Sequence, residues 1–121
     1  MQIVSKEVKT ESIKAFQSAI RKSENALENM AQKGSNTTLI KKRLHALQVG
    51  LAVLESNWDQ RPCNYNREEL AEARNVLIGL LPSLQKMLEK AKAGSPQKTL
   101  IERRIKAFEM AVAAIEETLN Q

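Results

Sequence analysis

The sequence predicts an all-α protein, an up-down-up-down four-helix bundle built from a duplicated helical hairpin. Three observations lead there. Apolar residues recur at alternating spacings of three and four along most of the chain, as amphipathic helices require. The chain has only 4 Gly and 3 Pro, too few for a sheet protein that turns about every ten residues. Finally, "TLIKKRLHAL" at 38–47 returns as "TLIERRIKAF" at 99–108, 61 residues later.

The first helix reads Ile13, Phe16, Ile20, Leu27, Met30, with Thr10 as its expected N-cap and Gly34 as its stop. The second reads Ile40, Leu44, Leu47, Leu51, Leu54, Trp58. Asn66 followed by Glu69 has the form of a capping box and opens the third, which continues through Leu70, Ala73, Leu77, Leu81, Leu84 and Leu88 towards Gly94. Pro82 lies inside it and is expected to bend it near Ile78. Ser95 caps the fourth, Pro96 takes its first position, and its stripe is Ile101, Ile105, Phe108, Val112, Ile115, Leu119.

Laying 38–58 over 99–119 without a gap gives seven identities in 21 positions, and each core position of one copy meets an apolar residue in the other. The preceding helices keep the offset, Phe16 falling on Leu77 and Ile20 on Leu81. A single domain over 1–121 follows, with one hairpin at about 10–58, a linker at 59–66 and a second hairpin at about 67–120. At 121 residues the chain can bury one core without metals or cross-links. Aromatic residues are only 3% of it, so that core must be built from Leu, Ile, Val, Ala and Met.

The lone Cys63 excludes an internal disulfide and favours a reducing compartment. The N-terminus carries charges at Lys6, Glu7 and Lys9 and has no apolar signal region. Uncharged stretches run to only 11 residues, as in "NVLIGLLPSLQ", about half of the ~20 needed to span a bilayer. A cytoplasmic protein with no membrane association is expected.

Charge is unevenly spread. Residues 28–45 and 86–106 hold eleven Lys and Arg against three acids, and the rest of the chain is net acidic. In an up-down-up-down bundle the two hairpin turns share one end, so Lys41, Lys42, Arg43, Lys98, Arg103, Arg104 and Lys106 would crowd a single basic pole. Cations in the first turn of a helix are mildly disfavoured by its dipole, and an anion-binding end would account for them. The plainer account is a set of interhelical ion pairs, Arg43 with Glu28 and Arg104 with Glu89, each worth under about 1 kcal/mol.

Other candidates are fewer. Leu39, Ala46, Val49 and Val53, matched by Leu100, Ala107, Met110 and Ala114, make a second apolar stripe. Leu39, Val49, Val53 and Met110 would face a dimer mate or a partner helix, unless Ile3, Val4 and Val8 fold over them. The linker holds Arg61, Cys63 and Tyr65, residues suited to a recognition epitope or to packing over the bundle end. His45 invites comparison with histidine-phosphotransfer bundles, whose histidine is followed by Lys at the third position and Gly at the fourth. Here those positions hold Gln48 and Val49, with Gly50 one residue late.

No cofactor, metal ligand set, glycine-rich phosphate loop or small-molecule substrate is inferred, and no catalytic constellation is visible. The expected function is therefore a non-enzymatic interaction module, an adaptor or inhibitor, with a protein partner or homodimer mate. The alternative is non-specific binding of nucleic acid through the basic pole. Phosphotransfer through His45 is the most remote reading.

Overall fold

The computed structural model describes residues 4–121. They form a four-helix bundle of α1 (Lys6–Gln32), α2 (Thr38–Asp59), α3 (Arg67–Lys90) and α4 (Pro96–Leu119), with no strand among the described residues.

Local chemistry sets most of the helix ends. The Asn66 side chain accepts from the Glu69 N–H at 2.8 Å, and the Glu69 carboxylate accepts from the Asn66 N–H at 3.4 Å, completing the capping box. The Ser95 hydroxyl accepts from the Lys98 N–H at 3.2 Å, ahead of Pro96 at the first helical position. Gly34 at φ 71° and Gly94 at φ 77° turn the chain in the left-handed region that a side chain would strain. One expected end is corrected. α1 is capped by Ser5, whose hydroxyl accepts from the Val8 N–H at 3.2 Å. Thr10 lies inside the helix and donates its hydroxyl to the Lys6 carbonyl. Further along, α3 runs unbroken through Pro82, which sits on its exposed side.

The second apolar stripe of α2 is not a surface. Val49 is 0% exposed and Val53 1%, and Ala46 is as deeply buried. α2 and α4 are in contact, whereas α1 and α3 are not. Small side chains permit that close approach: Ala46 and Gly50 on α2, and Ala107, Ala111 and Ala114 on α4, are all buried. A Cβ at Gly50 would stand 3.0 Å from a Phe16 ring carbon and 3.2 Å from a Leu77 methyl. Phe16 also packs against Phe108, ring centroids 5.2 Å apart. The partner face expected from Val49 and Val53 is therefore the diagonal seam of the bundle. Leu39 alone of that set stays open, 59% exposed, and Met110 is half-buried. Ile3 lies outside the described residues.

The order of contacts shows how the hairpins meet. Within each they run in opposite order: Lys9 lies over Trp58 and Phe16 meets Gly50, while Arg67 reaches the Leu119 carbonyl and Arg74 reaches Glu116. Between hairpins they run in the same order. His45 and Gly50 of α2 meet Glu69 and Leu77 of α3, and Glu11 and Phe16 of α1 meet Arg103 and Phe108 of α4. On an up-down-up-down path Glu69 would stand near residue 57 of α2, some twelve residues or about 18 Å from His45. Instead the linker runs back along α2. The Gln60 backbone is left-handed, Arg61 turns back with its N–H on the Ser56 carbonyl, and Tyr65 arrives edge-on at the His45 ring, 5.9 Å between centroids.

The four-helix bundle therefore stands, but its hairpins lie head to tail. Burial agrees with this arrangement. No core hydrophobic comes from residues 21–45, and only Leu84 comes from 78–106. Each hairpin tip extends past the other hairpin instead of burying its flank against the other tip. The single basic pole is corrected accordingly. Lys41, Lys42 and Arg43 stand at the first tip, while Arg103 and Arg104 lie against Glu11 and Ser18, in the first half of α1.

Two measurements check this arrangement. Spin labels at Ser35→Cys and Ala93→Cys, with Cys63→Ser, should lie more than about 25 Å apart; a shared pole would bring them within about 15 Å, given helix spacings of 8–10 Å. In urea unfolding, Gly50→Val should cost about 3 kcal/mol, because the buried Phe16 and Leu77 side chains leave no room for it. Leu39→Ala should change stability by under about 0.5 kcal/mol.

Candidate partner-binding groove

Since α1 and α3 do not meet across the seam, a groove of about 770 Å³ opens between them near the second hairpin tip, floored by the start of α4. One wall is a single face of α1: Glu11, Lys14, Ala15, Ser18 and Lys22, spaced three and four apart. Opposite are Met87, Lys90 and Ala91 from the last turn of α3. Gln97, Leu100, Ile101, Arg103 and Arg104 from the first turns of α4 complete it.

The groove is apolar in its floor and basic at its edges. Leu100 is 61% exposed and Met87 50%, two of the four large hydrophobic side chains left open among the described residues. Around them stand five cations and one carboxylate, Glu11, which is already engaged 3.3 Å from Arg103. Arg104 differs from the others. It is half-buried, donates to the Ser18 hydroxyl at 3.2 Å, and has no carboxylate within 4 Å among the described residues. Burial holds its pKa below the usual arginine value. The guanidinium remains charged at neutral pH, so a desolvated positive charge faces a neutral partner. Arg104 does not form the expected pair with Glu89 of the neighbouring α3 helix; it and Arg103 both reach across to α1.

The remaining sequence candidates disperse. Lys41, Lys42 and Arg43 are exposed, and Lys98 is half-buried in the first turn of α4. Lys106 and Met110 edge a smaller cavity of about 330 Å³ with Val4, Leu54 and Trp58. Of the three linker candidates only Arg61 is open, 3.8 Å from Asp59, while Cys63 and Tyr65 are half-buried against the core. The Nε2 of His45 is 3.3 Å from the Glu69 carboxylate, and its ring is covered on one side by Tyr65. A carboxylate at that nitrogen repels an incoming phosphoryl group, and the pair ties the start of α3 to α2.

Sequence reasoning located Arg103, Arg104 and Leu100 but missed the α1 wall. Its Glu11, Lys14, Ser18 and Lys22 read as the solvated face of any amphipathic helix. Only the head-to-tail packing gives that face an opposite wall. No helix among the described residues is long and apolar enough to cross a membrane. No family model matches the chain, and no curated protein or solved structure is significantly similar to it.

Arg104 gives a direct test of this electrostatic picture. Arg104 lines the groove half-buried while its charge lacks a counter-ion. Arg104→Met keeps the stem and removes the charge, so it should leave the free protein equally stable or raise its stability by up to about 1 kcal/mol in urea unfolding. A loss of more than about 1 kcal/mol would show that the Ser18 contact holds the fold together.

Proposed function

We propose that the protein is a non-enzymatic interaction module, of the adaptor or inhibitor type, which receives a segment of a partner protein in the α1–α3–α4 groove. The observation that carries this reading is the pairing of open apolar floor with an uncompensated guanidinium, at Leu100, Met87 and Arg104. Contiguous apolar surface rimmed by polar groups is characteristic of interaction sites, and half-buried Arg side chains contribute strongly to binding energy. Such a groove would supply contact and positioning. A cytoplasmic setting belongs to the proposal and is consistent with the single free Cys63.

The nucleic-acid alternative relied on a shared basic pole, and the separation of the tips removes that support. The groove lining also contains no aromatic side chain on which a base could stack.

A displayed library of helical peptides, selected on the wild-type protein and re-tested on Leu100→Asp, examines the proposal. Leu100 is exposed, so the substitution should leave folding intact. Selected peptides should lose about tenfold or more in affinity for the variant. Peptides that bind both proteins equally would remove the groove from the function. Oligonucleotide binding that is lost in Lys41→Gln/Lys42→Gln and unaffected by Leu100→Asp would transfer it to the first tip.

A further inference from the structure

We infer that the groove's occupant is an acidic amphipathic helix of a partner protein, with its apolar face on Leu100 and Met87 and a carboxylate against Arg104. This rests on the preceding reading of the groove and adds the chemistry of what fills it.

Shape supports a helix. The α1 wall runs from Glu11 to Lys22, eleven residue steps, or about 16 Å and three helical turns. An amphipathic helix presents anchors at i, i+3 or i+4, and i+7 over the same length. Met87, half-exposed at one edge, is a flexible side chain that can adjust to such anchors.

Charge specifies the sign. Lys14, Lys22, Lys90, Arg103 and Arg104 surround the floor, and the one acid among them is already paired. A helix with carboxylates flanking its apolar face would meet these cations along its length. A single acyl chain ending in one anion could use the floor but only one or two of them. The distribution is also particular to this groove. At the positions 61 residues from Lys14, Lys22 and Lys90 stand Asn75, Ser83 and Asn29, although Arg103 and Arg104 have basic counterparts in Lys42 and Arg43. Three of the five cations are therefore no by-product of the repeated phrase. Arg104 contributes most because its guanidinium is half-buried without a carboxylate partner, whereas a charge pair left in water gains little.

The test uses the full chain and three fluorescein-labelled 18-residue peptides with Leu on one helical face. The flanking positions carry Glu, Gln or Lys. Fluorescence anisotropy should show 1:1 binding of the Glu peptide, about tenfold or more tighter than the Gln peptide, with the Lys peptide not binding. Affinity for the Glu peptide should fall as salt rises. Arg104→Gln should weaken it about tenfold, and Lys90→Glu, at an exposed position with no fold to disturb, should weaken it further. Lys41→Gln, at the other tip, should change nothing. Thermal unfolding followed by circular dichroism verifies that each variant is folded.

Equal binding of the Gln and Glu peptides, lost in Leu100→Asp, would overturn the acidic helix and leave the groove as a binding site. Equal binding to wild type and to folded Arg104→Gln and Lys90→Glu would overturn it by showing that the charges do not contribute. Displacement of the Glu peptide by micromolar laurate would replace the helix with an acyl anion. Failure of every peptide to bind, the library ligands included, would remove the groove reading itself.

Discussion

The arrangement depends on one close approach, that of α2 to α4 through Gly50 and a row of alanines. Gly50 carries no Cβ because Phe16 from α1 and Leu77 from α3 already occupy that space. Both are fully buried, and they occupy the same relative place in the two halves of the sequence. A glycine inside a helix costs roughly 1 kcal/mol relative to alanine. Here it lets two large side chains from opposite helices converge on the seam. With α2 and α4 drawn together, α1 and α3 are held apart on the long diagonal. The seam and the groove are thus two consequences of one packing choice.

The linker determines the second half of the geometry. A short turn after Asp59 would have carried α3 back along the usual bundle path. Instead Gln60 adopts a left-handed backbone, the Ser56 hydroxyl donates to the Arg61 carbonyl, and the chain runs back up α2 to set Tyr65 and Glu69 against His45. Glu69 also closes the cap of α3. One carboxylate thereby ties the helix start to its own first turn and to the middle of α2. The head-to-tail order leaves both tips without mutual cover, and the exposure of Leu100 and Met87 follows from that lack of cover.

Features determined locally were legible in the sequence. Asn66 with Glu69, Ser95 with Pro96, and the glycines at 34 and 94 mark ends that depend on a few neighbouring atoms, and the structure has them there. Ser5 was overlooked because Thr10 offers the same chemistry one turn later, and a cap is decided by which residue takes the extended backbone. The apolar stripes were legible as stripes, yet periodicity reports that a face is apolar without naming what it meets. Val49 and Val53 read as a spare face because a regular bundle assigns each helix one inward side; a helix on the short diagonal has more. The basic clusters were likewise legible as clusters but placed wrongly, since position along the chain becomes position in space only through the linker.

Charge placement then takes on a different meaning. At one shared pole, Lys41 to Arg43 and Lys98 to Arg104 would have formed a single electrostatic field suited to any polyanion. Separated, each cluster must be judged by its immediate surroundings. Those at the first tip are exposed on a helix start and are well solvated. Arg104 stands half-buried beside a hydroxyl and above an apolar floor, where removing water from an ion costs most and a matching carboxylate recovers most. Affinity in such a site comes from the few groups that are already partly desolvated in the free protein. By that measure the second tip is the place where binding a partner would gain most, and the cation count of the whole chain is a poor guide to it.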